Sequence, residues 1–272
     1  MHERGAGGRR RRDDPGWHDG AHAACRGIHE GGRRNDGPRR RPVSVLLADT
    51  RYWIFDLDNT LYPAEAGITR QSGLRMRHFL KDRLAISDDA EAQTLQRRYF
   101  RDYGLTLVGL IRHHGVDVQD YFDHVYDLDL SAIAPSPDLA AALAVLPGRR
   151  MVFTNSPTEH AERVLDRLDC RAQIDAIFSI RDAEFQAKPA PEAYRRLIQM
   201  HAVTPEQAVM FEDIPRNLRP ASDLGMRTAW IRGDMPKHLM DGLTERDFDF
   251  VVDDLVGFLA RTVAEQDWGA HT

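Results

Sequence analysis

The chain has 272 residues, 42% of them hydrophobic, and a formal net charge of −5 at pH 7. That length accommodates one large domain or two small ones with a real core. Its two cysteines, Cys25 and Cys170, belong to no CxxC pair and support neither a disulfide framework nor a zinc site. No apolar run approaches the roughly 20 residues that span a bilayer, and no apolar stretch near the start could serve as a secretory signal core, so the expectation is a soluble, cytoplasmic protein with no membrane partner.

Residues 1–42 differ from the rest. They hold eleven Arg against six acids, a formal charge of 11 − 6 = +5, which leaves about −10 on the remainder. Ile28 is their one branched aliphatic residue. Such a segment buries too little apolar surface to offset its ordering entropy, and disorder is expected. The runs Arg10-Arg11-Arg12 and Arg39-Arg40-Arg41 would suit an acidic surface. No aromatic platform accompanies them and the remainder is acidic, so specific nucleic-acid binding is not expected.

The next element is Tyr52–Phe55, an apolar, aromatic run that reads as a strand buried on both faces. It ends in Asp56 and Asp58, with Asn59 and Pro63 marking a turn. Two acids at such a place can simply cap the turn. At the carboxyl end of a strand in an open α/β sheet they can equally face a ligand, and the rest of the chain decides between the two.

From 64 to 134 the period turns helical. Met76, Phe79, Leu80 and Leu84 form one stripe. Ser87-Asp88-Asp89 starts a second helix through Ala92, Leu95 and Tyr99, which Gly104 breaks. A short apolar segment, Leu105 to Ile111, runs to Gly115, and Asp117 caps a helix carrying Tyr121, Phe122 and Val125. About four helices in this stretch are far more than a connecting loop. His113 and His114 are adjacent and so face different ways on a helix, which favours surface or packing roles over a metal site.

From Pro135 onwards helix and strand alternate. Helices are expected over Leu139–Leu146, across Ala161, Val164, Leu165 and Leu168, from Pro191 through Ile198, from about Pro215 to Leu224, and from about Leu255 to Ala264. Strands are expected at Met151–Phe153, Ile174–Ile180, Ala208–Phe211, Thr228–Ile231 and Phe248–Val252. The alternation implies a Rossmann-like α/β fold: a parallel sheet with helices on both faces, plus a helical cap inserted after the first strand. Three strands then end in polar residues at one edge: Asp56/Asp58, Thr154/Asn155 and Glu212/Asp213. No Walker loop and no GxGxxG occurs, so nucleoside-triphosphate and dinucleotide readings lose support.

Four motifs recur in order: Asp56-x-Asp58-x-Thr60, Thr154 after a strand, Lys188-Pro189 before a helix, and Glu212-Asp213 after a strand with Asn217 beyond. Over about residues 51–262 this resembles the haloacid-dehalogenase-like superfamily, specifically its capped phosphatases. Phe55-Asp56-Leu57-Asp58-Asn59-Thr60-Leu61-Tyr62-Pro63, Tyr103-Gly104-x-Thr106-Leu107 and Phe153-Thr154-Asn155 look most like the pyrimidine 5′-nucleotidase subgroup. The resemblance implies a catalytic core of residues 51–63 and 135–264 and a helical cap of residues 64–134. It implies a phosphomonoesterase acting through an aspartyl-phosphate, with Mg²⁺ as cofactor and a small phosphorylated metabolite, a pyrimidine nucleoside 5′-monophosphate above all, as substrate.

Phosphate-ester hydrolysis needs a nucleophile, an acid for the leaving oxygen and cancellation of phosphoryl charge. On the resemblance, Asp56 is the nucleophile and Asp58 the general acid and base. Thr154, Asn155 and Lys188 bind phosphate, and Tyr103 and Thr106 contact substrate from the cap. Asp56, Asp213 and the main-chain carbonyl of Asp58 form the metal site. Glu212 joins it through water, and Asn217, where many relatives carry an acid, leaves a third metal-side carboxylate open. Phosphoglycolate or sugar-phosphate phosphatases and a β-phosphoglucomutase-like phosphotransferase share these motifs. A 2-haloacid dehalogenase needs neither Asp58 nor the acidic pair. The sequence carries no signal for an oligomeric state. Deleting residues 1–42 is expected to leave steady-state kinetics unchanged, and a large loss of activity would overturn the reading of that segment as dispensable.

Overall fold

The computed structural model describes residues 47–233 and 240–264. The Arg-rich segment expected at 1–42 lies outside them. Among the described residues, six strands form one sheet in the order β3-β2-β1-β4-β5-β6, every neighbouring pair parallel. The strands are β1 (Tyr52–Phe55), β2 (Arg149–Phe153), β3 (Ala176–Phe178), β4 (Ala208–Glu212), β5 (Arg227–Ile231) and β6 (Phe250–Val252).

The centre of the sheet follows from the first strand's composition. In β1, Trp53 and Phe55 point to one face and Ile54 to the other, and all three are fully buried. Trp53 and Phe55 join Val209, Phe211, Leu143 and Leu165 in one apolar cluster. Ile54 joins Met151, Phe153, Met210, Tyr194 and Leu197 in a second. A strand with no polar face can sit only between two helical layers, so β1 takes the middle, with Phe55 in register with Val152 on one side and Phe211 on the other. The covering helices are α5 (Pro137–Ala144), α6 (Thr158–Arg167), α7 (Pro191–His201), α8 (Pro215–Asp223) and α9 (Leu255–Ala264).

Between β1 and α5 run four more helices: α1 (Ile68–Leu84), α2 (Asp89–Tyr103), α3 (Thr106–His114) and α4 (Val118–Val125). They share a third cluster around Phe79, Leu80, Tyr99, Leu107, Leu110, Tyr121 and Phe122. Their ends are where the capping residues put them. The Asp88 side chain accepts from the Ala90 amide at the start of α2, and Asp117 accepts from the Asp120 amide at the start of α4. Gly104 and Gly115 close α2 and α3 in the left-handed conformation. Among the described residues, no helix is long and apolar enough to cross a membrane.

Several boundaries differ from expectation, and three have a clear local cause. Helix α1 begins at Ile68, eight residues before Met76, because Gly67 (φ 72°) ends a short 3₁₀ turn and starts the helix directly. Strand β3 is three residues rather than seven. A 3₁₀ turn at Arg171–Gln173 precedes it, and the Asp182 side chain captures the Ser179 amide after it. Strand β2 starts at Arg149, since parallel pairing with Tyr52 needs only the arginine's main chain.

Candidate active site

The chain builds β1, β2 and β3 outward on one side of the sheet and β4, β5 and β6 outward on the other. The order reverses between β1 and β4, and a crevice opens beyond their carboxyl ends. Asp56 follows β1 there, and Glu212 and Asp213 follow β4. The three carboxylates offer oxygen atoms within 4.8 Å of one another, and all three residues are buried.

Buried carboxylates at that spacing need positive charge. Lys188 supplies it. Its Nζ donates to Asp56 Oδ1 (2.6 Å), Glu212 Oε2 (2.7 Å) and the Phe153 carbonyl (2.8 Å), which uses all three ammonium hydrogens. Asn155 holds the lysine in place. Its Oδ1 accepts from the Lys188 amide (2.8 Å) and its Nδ2 donates to the Lys188 carbonyl (3.2 Å). Both ends of the Asn155 side chain are thus committed to the lysine's main chain, while the residue itself lines the crevice. Thr154, buried beside it, accepts from the Ser156 amide through Oγ1 (3.0 Å), which leaves the hydroxyl hydrogen to be donated into the crevice.

Asp58 sits apart from the carboxylate triad. Its Oδ1 accepts from the Tyr62 hydroxyl (2.6 Å) and from His160 Nε2 (3.0 Å), and its Oδ2 accepts from Ser156 Oγ (2.7 Å). Its side chain therefore does not join the other three as a metal ligand. The turn between the acids is made by Asn59, in the left-handed region at φ 63°, where a short amide side chain is tolerated. Asn59 Nδ2 also reaches Asp213 Oδ2 (3.3 Å) and ties the first strand end to the fourth.

These surroundings drive the two β1 acids in opposite directions. Burial pushes the Asp56 carboxyl up to about 7. The Glu212 charge adds to the rise, and Lys188 offsets only part of it. Asp213 is also raised well above the usual carboxylate range, by burial and then by Glu212 and Asp56. At Asp58 burial works upward too, but His160 and the hydrogen bonds from His160, Tyr62 and Ser156 overrule it and hold the carboxyl at about 2. Lys188 stays above its ordinary value: burial would lower it, but the Asp56 and Glu212 charges win. One ammonium against three close carboxylates leaves an excess of negative charge. An all-oxygen donor set carrying that excess fits a hard divalent cation.

The crevice is a cavity of 890 Å³. Its floor holds Asp56, Asp58, Thr154, Lys188, Glu212 and Asp213. Its roof comes from α1, α2 and the start of α3, with apolar Ile68, Met76 and Phe100 beside Arg70, Arg77 and Arg97. Thr106 and Asn217 line it as well. Tyr103 does not. Its hydroxyl pairs with His113 Nε2 (2.7 Å) on the outer side of α2 and α3, so the expected substrate contact from Tyr103 is corrected. Tyr62, Ser156 and His160 were not anticipated. A signal for one of them was present: His160 and Val164 lie four apart and share the buried side of α6.

Roof and floor meet at Gly104. It has φ 76°, and a Cβ built on it would collide with the Lys188 carbonyl oxygen. The end of α2 thus presses on the segment that carries the lysine. One turn earlier, the Arg216 guanidinium of α8 stacks over the Phe100 ring at 4.7 Å.

Comparison with known proteins gives one consistent grouping. The family model described as haloacid dehalogenase-like hydrolase matches residues 51–225. Phosphate metabolism protein 8 of Saccharomyces cerevisiae is 27% identical over 192 residues, covering 65% of this chain and 60% of the yeast protein. The chain thus spans less than two thirds of that relative's length. Validoxylamine A 7′-phosphate phosphatase of Streptomyces hygroscopicus subsp. limoneus is 27% identical over 208 residues, covering 71% of this chain and 90% of that protein. Among solved structures, CbbY of Rhodobacter sphaeroides in complex with xylulose-(1,5)bisphosphate has a TM-score of 0.55 at 19% identity, covering 76% of this chain and 95% of that one. A haloacid dehalogenase-like family hydrolase of Streptococcus pneumoniae scores 0.52 at 19% identity, covering 78% and 98%. At these identities both structures speak for the fold alone.

The Gly104 contact makes a direct prediction. Gly104→Ala places a methyl group against the Lys188 carbonyl and strains a left-handed residue, so it should lower stability by about 1–3 kcal/mol. Equilibrium urea unfolding checks this, and an unchanged midpoint would show that the contact does not exist.

Proposed function

The chain belongs to the haloacid dehalogenase-like hydrolase family, and from that premise we propose that it is a Mg²⁺-dependent phosphomonoesterase working through an aspartyl-phosphate. The observation that carries the reading is the Lys188 ammonium bridging Asp56 and Glu212 beside Asp213, on the floor of a large cavity. Asp56 is the nucleophile. Residues 64–134 act as the cap, and residues 51–63 with 135–264 as the catalytic core.

The reaction balances as two displacements. An Asp56 carboxylate oxygen attacks phosphorus, the bond from phosphorus to the ester oxygen breaks, and the leaving alkoxide takes a proton from Asp58. Water then attacks the phosphorus of the aspartyl-phosphate and gives a proton back to Asp58, and the bond to Asp56 breaks. The sum is ester plus water to alcohol plus inorganic phosphate. Thr154 donates its free hydroxyl hydrogen to a phosphoryl oxygen. Lys188 cancels part of the phosphoryl charge as well as that of Asp56 and Glu212. Asp56 and Asp213 would hold Mg²⁺ with the Asp58 carbonyl, and Glu212 lies close enough to assist. The bound ion would supply electrostatic stabilisation of the phosphoryl group.

The substrate class follows from the roof. An aromatic and apolar lining that includes Phe100, with Thr106 and three arginines, suits a phosphate ester carrying a flat, polar group the size of a nucleoside. Together with the motif likeness, this favours a pyrimidine nucleoside 5′-monophosphate. The relative named for validoxylamine A 7′-phosphate supports a sugar-like phosphate as the second reading.

Two experiments test this. Phosphate release from UMP, CMP, AMP, GMP, phosphoglycolate and several sugar phosphates, with Mg²⁺ and with excess chelator, should be metal-dependent and fastest for UMP or CMP. A sugar phosphate turned over fastest would move the substrate to the second reading. Asp56→Asn should abolish release while leaving the fold intact, and turnover by clean variant protein would refute the nucleophile. The second experiment is calorimetric. A carboxyl near pH 7 is protonated below that value and must lose its proton to take a cation. Mg²⁺ affinity should therefore fall as pH drops through about 7, with protons released on binding above the stoichiometry of the buffer alone. The same sign makes the cation-free fold lose stability as pH rises from the ordinary carboxylate value of 3.8 towards about 7, because the unfolded chain gives up that proton first.

A further inference from the structure

His160 is 1% exposed and lies in the first turn of α6, three residues beyond the end of the Thr154–Pro157 loop. Its ring rests against Tyr126, with centroids 5.0 Å apart, and Tyr126 and His160 both border the cavity. The ring makes one hydrogen bond, from Nε2 to Asp58 Oδ1 at 3.0 Å. Its other nitrogen, Nδ1, is buried and has no partner among the described residues. A histidine kept only for packing would leave a polar atom unsatisfied that phenylalanine would avoid at similar volume. The polar purpose of this ring is therefore spent wholly on Asp58.

Asp58 needs such help. It lies past the end of β1, in the turn made by the left-handed Asn59, where no ladder fixes its side chain. A general acid or base transfers a proton only within about 2.6–3.2 Å of its target, so a freely rotating carboxyl would spend little time in place. Ser156 Oγ fixes one oxygen, and Tyr62 and His160 fix the other. Three donors from two separated segments define the carboxyl plane.

We infer that His160, seconded by Ser156, is a positioning residue that sets the orientation in which Asp58 exchanges its proton with the leaving oxygen. The inference rests on the phosphomonoesterase reading above. It concerns how a bond is aimed, so an uncharged donor in the same place should serve. Glutamine can present its Nε2 amide where the imidazole Nε2 stands, whereas phenylalanine fills the space and offers nothing.

The test exploits the leaving group. An alkyl ester such as UMP, or whichever alkyl ester of the panel is turned over fastest, leaves as a basic alkoxide and needs the acid. p-Nitrophenyl phosphate leaves as a weakly basic phenolate and needs it little. Wild type, Asp58→Asn, His160→Phe, His160→Gln and Ser156→Ala are compared on both esters at saturating Mg²⁺. The readout is kcat/KM, which reports attack by Asp56 and departure of the alcohol but not hydrolysis of the aspartyl-phosphate that both esters share; in it Asp58→Asn should lose about 10²–10⁴-fold on the alkyl ester and far less on the aryl ester. His160→Phe should show the same selectivity in kcat/KM at about 10–100-fold, by analogy with groups that orient a ligand from behind. His160→Gln should recover most of the loss. Should His160→Phe fail to fold, Ser156→Ala carries the same expected signature from the other oxygen. Equal losses on both esters, or none, for the His160 and Ser156 variants would overturn the inference. A flat response of Asp58→Asn across both esters would instead overturn the acid assigned to Asp58, and with it the reading on which the inference rests.

Discussion

The site depends on one buried cation. Lys188 bridges Asp56 and Glu212 with its ammonium 1% exposed, in surroundings where an unpaired charge would cost several kcal/mol. Much of the local architecture serves that group. The Asn155 amide clamps the lysine's main chain at two points, the Phe153 carbonyl takes the third ammonium hydrogen, and Gly104 yields its side chain so that α2 can lie against the same segment. Removing the ammonium alone would strand two carboxylates out of water, a change of about 3–5 kcal/mol by comparison with other broken buried pairs. The bridge therefore belongs to stability and to the proposed chemistry at once, and the two roles cannot be separated by any substitution at residue 188.

The opposite drift of the two β1 acids gives this arrangement direction. Without a cation, the proposed nucleophile is disposed to keep a proton and the proposed acid to lack one. That is the reverse of what attack on phosphorus requires. A cation held by Asp56 and Asp213 would correct the first half, and a dianionic ester drawn against Asp58 would act on the second by raising it. On the proposed reading the site is left unbalanced by its own charges and would be brought to readiness by what it binds.

How much of this the sequence carries can be judged residue by residue. Tyr52–Phe55 has no polar face and could only be a central strand. The acids at the ends of β1 and β4 then had to meet, because parallel strands with helical crossovers place their carboxyl ends on one edge. Asp88, Asp117, Gly104 and Gly115 announced the helix ends through capping chemistry. What stayed hidden depends on side-chain direction in irregular backbone, where neither period applies. Tyr103 follows the α2 pattern yet turns outward to His113. Asn155 sits at a strand end like its neighbour Thr154, but its amide is consumed by a main chain 33 residues on. Asp58 shares a turn with Asp56 and is bonded to residues on a different element, 98 and 102 positions away. Pairings across such distances follow from the closed fold and have no local signature.

Those same distances bear on biosynthesis. The lysine that steadies Asp56 is 132 residues downstream of it, and Asn59 meets Asp213 across 154. A ribosome adding about 5–20 residues per second emits the first strand several seconds before the last component of the site. For most of that interval the nascent chain holds Asp56 without its partner lysine, and until the end without Glu212 and Asp213, chemically an ordinary solvated aspartate. The reactivity proposed for Asp56 would in this way be withheld by topology until β4 has been made and docked beside β1, since a product ending before it lacks Glu212 and Asp213.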